Sequence, residues 1–425
     1  MTLAKLVPQK LKNYYHALDS HIGNIQYGLP VSKLKIIGIT GTDGKTTTSN
    51  ILYEILSVAQ KKVGLISSIN ARLGDEELPL KFHVTTPDPR DIMYILNKMV
   101  QKQMEFAVLE TTSHALEQSR VGAISYVASG FTNITREHLD YHKTFEAYRD
   151  AKAKLISQTR KGGTVVLNAD DPSFEYLQNK AKGLNLKTFS YGIENDADFM
   201  AKNVTISSDR QSYALTYPEG KQTQIELFLP GEYNISNSLS AAALAFSLGI
   251  NIDAIKDGIA NTKLLNGRWE IIREEPYQIV VDFAHTPNAI QNVLEFARKK
   301  VSGNGKVHVV FGCAGRRDFT KRPVMGEIAG KNADFVYITA EDPRDEDIHD
   351  INASIASGVE KAGKIANINY FNIPDRTEAI KKALSSAKKG DIVLITGKGH
   401  ERSMNLDGKS EIPWSDQEVV NKLLQ

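Results

Sequence analysis

The feature that most restricts the fold is a short apolar run, Ile36-Ile37-Gly38-Ile39-Thr40. It passes directly into Gly41-Thr42-Asp43-Gly44-Lys45-Thr46-Thr47-Thr48 and then into a helical stretch over residues 49–58. Strand, glycine turn and helix in this order make a phosphate-binding loop: glycines let backbone N–H groups approach phosphate oxygens, and the helix N-terminus favours an anion. In such a loop Lys45 reaches the β- and γ-phosphates and the Thr46 hydroxyl ligates Mg²⁺. The loop is a variant, because Ile39 stands where the standard pattern has its first glycine and Gly38 comes one residue early.

The rest of the chain repeats the alternation that this unit begins. Short β-branched or apolar runs at 106–109, 126–128 and 164–167 are separated by helical stretches, which predicts a mainly parallel sheet covered on both faces. Between Gln211 and Leu229 the pattern changes to strict alternation around Pro218-Glu219-Gly220, a hairpin signal. A second α/β series follows Gly267, with strands expected near 279–283, 307–311, 335–339 and 392–396, so a domain boundary falls near 265–267. Ahead of the first strand, Leu11, Tyr15, Leu18, Ile22 and Ile25 recur every three or four residues and predict one or two helices over 9–29.

Composition narrows the function. The 425 residues suffice for two or three domains, each able to close a core without disulfides or structural metals. With 52 Lys+Arg against 50 Asp+Glu the net charge is +2, too small to gather nucleic acid or an anionic membrane by charge alone. The single cysteine, Cys313, excludes an internal disulfide and a Cys-rich zinc site and fits a reducing compartment, so a cytoplasmic location is expected. Lys5 and Pro8 interrupt the N-terminus before a signal-peptide apolar region develops, and no apolar run reaches the 18 or more residues of a membrane span.

Two further places carry chemistry. Glu110 closes the second apolar strand, at the sheet edge where open α/β sheets bind ligands, and could serve Mg²⁺ beside a triphosphate; a simple helix N-cap box is the alternative. The stretch Asn133-Ile134-Thr135-Arg136-Glu137-His138-Leu139-Asp140-Tyr141-His142 is dense in metal- and proton-binding side chains. Its histidines are either ligands or partly exposed helix-start residues.

These motifs occur in one order with others: Thr85-Thr86-Pro87, Ser113-His114, Tyr148-Arg149-Asp150-Ala151-Lys152, Asn168-Ala169-Asp170-Asp171, and Gly231-Glu232-Tyr233-Asn234 with Asn237. After Gly267-Arg268-Trp269-Glu270 come Asp282-Phe283-Ala284-His285-Thr286-Pro287, the run from Gly312 to Pro323, Asp342-Pro343-Arg344 and Gly397-Lys398-Gly399-His400-Glu401. Across residues 35–420 the chain resembles the Mur ligases, ATP-dependent amide-forming enzymes of peptidoglycan precursor synthesis, and within them the branch that adds the third peptide residue.

The resemblance implies an α/β protein with a P-loop-containing central domain at 35–265 and a second, Rossmann-like C-terminal domain at 266–425. Residues 1–34 would be a short helical segment in place of the UDP-binding N-terminal domain. The implied reaction adds an amino acid, meso-diaminopimelate by preference, to UDP-N-acetylmuramoyl-L-Ala-D-Glu through an acyl phosphate. The implied cofactors are ATP, two Mg²⁺ ions and CO₂ taken up as a lysine carbamate, and a monomer is expected.

By the same resemblance Gly41, Thr42, Asp43, Gly44, Lys45, Thr46 and Thr47 hold the ATP phosphates, Asn234 and Asn237 contact adenine, and Arg268 and Asp282 reach the γ-phosphate and ribose. Thr46, Glu110, His138 and the carbamylated Lys152 hold metal, with Lys45, Lys152 and His138 as the catalytic set; without the resemblance Lys152 and Lys154 would read as solvated helix lysines. Thr85, Thr86, Ser113, His114 and Arg120 would take the acceptor, and Asp342, Arg344, Gly397 and Glu401 the incoming amino acid. Where the diaminopimelate-adding enzymes have Asp-Asn-Pro-Arg this chain has Glu341-Asp342-Pro343-Arg344, and Arg344 could instead pair with Asp345 or Glu346. Rival functions are a lysine-adding enzyme of the same type, a folylpolyglutamate synthase-like ligase and a noncatalytic Mur-like subunit.

Overall fold

The computed structural model describes residues 8–74, 76–79, 86–207, 210–301 and 303–425. They fall into two compact units: one holds the chain up to Thr135 together with Phe145–Lys263, the other Arg136–Thr144 together with Leu264–Gln425.

The strands of the first unit are β1 (Lys35–Thr40), β2 (Val63–Ile66), β3 (Asn70–Leu73), β4 (Glu76–Pro79), β5 (Phe106–Glu110), β6 (Tyr126–Phe131), β7 (Thr159–Asn168), β8 (Lys187–Gly192), β9 (Phe199–Ile206), β10 (Gln211–Tyr217) and β11 (Lys221–Leu227). They form one sheet in the order β11-β10-β9-β8-β7-β6-β1-β5-β2-β3-β4. Neighbours from β9 to β2 run parallel, and an antiparallel pair extends each end. Alternation sorts each parallel strand onto two cores. On β1, Ile37 and Ile39 join Val108 of β5 beneath the helices Lys45–Val58, Tyr233–Ser247 and Ile252–Ala260. Ile36 joins Ala107 and Leu109 on the opposite face, beneath the helices Pro89–Gln101, Phe145–Ser157 and Phe174–Gly183.

The N-terminal segment forms the helix Gln9–Gln26 and a short turn of helix at Pro30–Lys33. Its apolar stripe does not turn inward: Leu11, Tyr15, Leu18, Ile22 and Ile25 are exposed. The helix is held by its small and polar residues instead, with Ser20 Oγ accepting from Ala123 N at 3.1 Å, Asn13 donating to the Glu117 carbonyl and Asp19 pairing with Arg90.

The second unit has β12 (Glu270–Arg273), β13 (Gln278–Asp282), β14 (Val307–Phe311), β15 (Phe335–Ile338), β16 (Tyr370–Asn372) and β17 (Ile392–Thr396), ordered β12-β13-β17-β14-β15-β16, plus the small pair β18 (Ser403–Asn405) and β19 (Glu411–Pro413). All of its main sheet is parallel except the β12–β13 pair. The class is therefore α/β in both units, with mainly parallel sheets.

On β14 of this sheet His308 is buried, with Nε2 3.1 Å from Asp391 Oδ2, Nδ1 3.2 Å from the Tyr337 hydroxyl, and its ring stacked on Phe335. Burial pulls the imidazole pKa below its ordinary 6.5, although Asp391 opposes the shift. The unfolded chain then takes up the proton first, so stability is complete above about pH 6.5 and is lost as pH falls below it. Thermal melts from pH 7.5 to 5 should show this slope in the wild type and a shallower one in His308→Asn.

Candidate active site

β1 delivers the chain to the phosphate loop, and two glycines are required there by space. A Cβ on Gly41 would lie 1.7 Å from Thr132 Oγ1, and one on Gly44, whose φ is +80°, would lie 2.2 Å from Asn237 Oδ1. The end of β6 braces the loop. Thr42 N donates to the Asn133 carbonyl at 2.7 Å, Asp43 N to Asn133 Oδ1 at 2.9 Å, and Thr132 Oγ1 to the Asp43 carbonyl at 2.6 Å. Lys45 arches back over the turn, its Nζ 2.8 Å from the Thr42 carbonyl and 3.1 Å from that of Gly41. Thr47 is buried in the first turn of the helix that follows.

Glu110, fully buried at the end of β5, gathers hydroxyls from two other elements. Its Oε2 accepts from Ser68 Oγ at 2.9 Å and Thr46 Oγ1 at 3.2 Å, and its Oε1 accepts from Ser68 N at 3.2 Å. Sequence reasoning missed Ser68; its position just past the apolar run Val63–Ile66, at the same sheet edge, was the available signal. This is an oxygen-only set with one carboxylate, which suits Mg²⁺, a hard ion that keeps waters and substrate phosphates among its ligands. Among the described residues no three His, Cys, Asp or Glu side chains gather into a metal cluster.

Lys152 is not a solvated lysine. It is buried on the helix Phe145–Ser157, donates to the Gly41 carbonyl at 2.6 Å and lies 4.5 Å from the Tyr148 ring centroid, while the Tyr148 hydroxyl is 3.0 Å from Thr42 Oγ1. Lys154, two residues on, is the surface lysine of the pair and bridges to Glu117. Burial pushes the nearby Asp171 carboxyl above its usual range, opposed by two backbone N–H groups and by the Lys152 charge. Asn237 donates to Asn234 Oδ1 at 2.9 Å and accepts from Thr48 at 3.4 Å, so both asparagines sit beside the loop's helix.

Around the end of β5 the structure also collects Thr86, Ser113, His114 and Arg120. Thr86 Oγ1 donates to the Glu110 carbonyl at 3.1 Å, and Arg120, buried, donates to the Thr86 carbonyl at 2.6 Å. Ser113 and His114 open the short helix Ser113–Glu117, capped by Thr112. Thr85 lies outside the described residues.

His138 belongs to the second unit, whereas Thr46, Glu110 and Lys152 belong to the first, so neither unit by itself contains the four expected metal residues. The segment carrying His138 is fastened by Glu137, whose Oε1 accepts from buried Lys321 at 2.9 Å, and by Leu139 N, which donates to Asp318 at 3.1 Å. In the same unit Arg268 lies over the Phe283 ring and 3.3 Å from His400 Nδ1. The two oxygens of Asp282 accept from Trp269 N and Ala284 N, each at 2.7 Å, so its first work is to shape the turn after β13.

Two loops leave the carboxyl edge of the second sheet. After β15, Asp342 Oδ1 accepts from buried Lys398 at 2.9 Å, and Arg344 donates to the Gly315 carbonyl. Asp345 and Glu346 are engaged by Arg316 and Arg322 respectively, so Arg344 is not spent on its acidic neighbours. After β17, Gly397 adopts φ +107° and Glu401 pairs with Lys398 at 2.5 Å, a partner the sequence did not suggest. Burial pushes the Glu341 carboxyl up to about 7. An open cleft of about 690 Å³ beside these loops is lined by Asp140, Arg317, Phe319 and Arg322 among others. Cys313 is buried against Met325 and has a packing role.

A phosphate loop on one α/β unit and a second α/β unit with charged strand-end loops define a two-domain ATP-using ligase. Matches to the Mur ligase middle domain over residues 39–245 and the Mur ligase glutamate ligase domain over 267–399 agree, and the chain belongs to the Mur ligase family. It is 40% identical, over 94% of its length and 80% of the relative's, to UDP-N-acetylmuramoyl-L-alanyl-D-glutamate--2,6-diaminopimelate ligase of Bacillus velezensis. A solved structure of a ligase of that name matches with a TM-score of 0.62 at 31% identity, covering 96% of this chain and 82% of that one. Mycobacterium tuberculosis folylpolyglutamate synthase complexed with ADP matches with a TM-score of 0.74 over 90% of this chain and 91% of that one, at 17% identity, which speaks for the fold alone. No helix among the described residues is long and apolar enough to cross a membrane.

Proposed function

We propose that this chain is an ATP-dependent, ADP-forming ligase that joins meso-diaminopimelate to UDP-N-acetylmuramoyl-L-Ala-D-Glu in peptidoglycan precursor synthesis. The observation that carries this is the Thr46–Ser68–Glu110 oxygen set at the phosphate loop, built on a buried carboxylate, in a chain 40% identical to a ligase of that name. A carboxylate is a poor electrophile, so it is first phosphorylated by ATP, and the incoming amine then displaces phosphate. Mg²⁺ supplies charge compensation when carboxylate and triphosphate meet. Lys45 swings its ammonium from the Gly41 and Thr42 carbonyls to phosphate oxygens. Asn234 and Asn237 take adenine, and Arg268 and Asp282 the γ-phosphate and ribose. Thr85, Thr86, Ser113, His114 and Arg120 hold the acceptor.

Two finer assignments belong to the same proposal. Lys152 carries a carbamate that, with His138, helps seat a second Mg²⁺; support for this is the burial of its amine against the first residue of the phosphate loop. The enzyme works as a cytoplasmic monomer.

Arg344 takes the distal carboxylate of diaminopimelate and Glu401 its ammonium, which competes there with Lys398. Lysine would satisfy only the ammonium site. Loss of one charge-assisted contact of roughly 2–3 kcal/mol corresponds to about 30- to 150-fold in kcat/KM, the expected preference for diaminopimelate over lysine. The test is phosphate release with ATP and UDP-MurNAc-dipeptide against diaminopimelate, lysine, ornithine and glutamate. Arg344→Ala should erase most of the preference and barely move the KM for ATP. Equal use of lysine by the wild type, or an unchanged ratio in Arg344→Ala, removes the amino-acid assignment.

A further inference from the structure

Beneath the two strand-end loops of the second unit lies a charged pair that the reaction as described does not use. Arg376 and Asp416 are 1% and 0% exposed at their side chains, joined by Nε to Oδ1 at 2.8 Å and Nη2 to Oδ2 at 2.7 Å. The guanidinium has two more bonds. Nη1 donates to the Ala340 carbonyl at 3.1 Å and Nη2 to the Thr396 carbonyl at 2.8 Å. Ala340 is the residue before Glu341-Asp342-Pro343-Arg344, and Thr396 the residue before Gly397-Lys398-Gly399-His400-Glu401. One planar group is therefore bonded to the last carbonyl ahead of each loop.

The neighbouring residues extend the arrangement. Asp416 Oδ1 also accepts from Trp414 Nε1 at 3.0 Å, and Gln417, next in the helix Asp416–Leu423, donates to the Gly399 carbonyl at 3.0 Å inside the second loop. A buried ion pair is a poor device for stability, because desolvation consumes most of the attraction and apolar replacements are often neutral or better. Its fixed fork geometry is a good device for holding several acceptors at set spacing.

We propose that Arg376 is a positioning residue for amino-acid recognition: it sets the spacing between the loop that presents Arg344 and the loop that presents Glu401. The proposal rests on the reading that these loops grip the incoming amino acid, and Arg344→Ala tests that reading separately.

Arg376→Lys keeps the charge near Asp416 but cannot also reach both carbonyls. The full chain carrying it should show a KM for diaminopimelate raised about tenfold or more and a diaminopimelate-to-lysine ratio lowered in step, with the KM for ATP within about twofold, since a displacement near 1 Å at a gripping group is costly. A purely structural role would move both KM values together, or reduce kcat in proportion to the folded fraction seen by thermal melting. Should Arg376→Lys fail to fold, Gln417→Ala decides, because it cuts the Gly399 tie and leaves the Arg376–Asp416 pair in place, the other bonds it removes being to Glu270 Oε2 at 2.9 Å and Ser415 Oγ at 2.9 Å; a rise of about threefold or more in the KM for diaminopimelate alone is expected. A KM for diaminopimelate within twofold of wild type, or parallel rises for ATP and diaminopimelate, overturns the proposal. An Arg344→Ala enzyme with unaltered KM for diaminopimelate sinks the gripping role of Arg344, while the Arg376 result still reports whether loop spacing governs recognition.

Discussion

Lys45→Ala should lower phosphate release at saturating ATP by about 100- to 1,000-fold, the usual cost of removing a preorganised group from developing transition-state charge. The side chain is half-buried and donates to two carbonyls of its own loop, so truncating it takes no apolar residue out of the core. The melting temperature should therefore stay within a few degrees of wild type. A variant retaining more than a tenth of the wild-type rate would remove Lys45 from the phosphate cradle.

Lys152→Ala should lose a comparable share of activity, and added bicarbonate should not restore it. Unlike Lys45, Lys152 is buried and ties its helix to the Gly41 carbonyl, so a modest fall in stability should accompany the loss. Lys152→Glu separates the two effects: a carboxylate imitates the charge of a carbamate, and part of the activity should return although the tie to Gly41 does not. Mass spectrometry of the active, Mg²⁺-loaded enzyme should find CO₂ added at Lys152. An unmodified lysine in a fully active sample would end this assignment.

Periodicity disclosed the parallel strands well because they are buried on both faces: β1, β5 and β17 read as apolar runs and β14 as one interrupted only by His308, and the hairpin at Pro218–Gly220 announced itself by its turn residues. The edge strand β4 and its neighbour β3 were invisible, since Asn70–Leu73 and Glu76–Pro79 are short and mixed in polarity. The outward stripe of the helix Gln9–Gln26 shows the limit of periodicity, which marks an apolar face but not what that face meets. At the site, Lys45, Thr46 and Glu110 were legible because each sits at a strand end or in the phosphate loop. Ser68, the Asn133 brace and the Lys398–Asp342 bridge were not, because each is made by residues distant in sequence whose meeting depends on strand order.

The nine residues Arg136–Thr144 carry a practical consequence for anyone dissecting this molecule. They are flanked on both sides by chain of the first unit yet cluster with the second, so the polypeptide passes from one unit to the other three times. A cut after Lys263 would not free an autonomous second module. The excised piece would keep Lys321 in its interior while losing the Glu137 carboxylate that balances it, and an uncompensated buried ammonium is strongly destabilising. Fragments designed for this protein should carry that stretch grafted onto them, or be expressed as two pieces meant to reassemble.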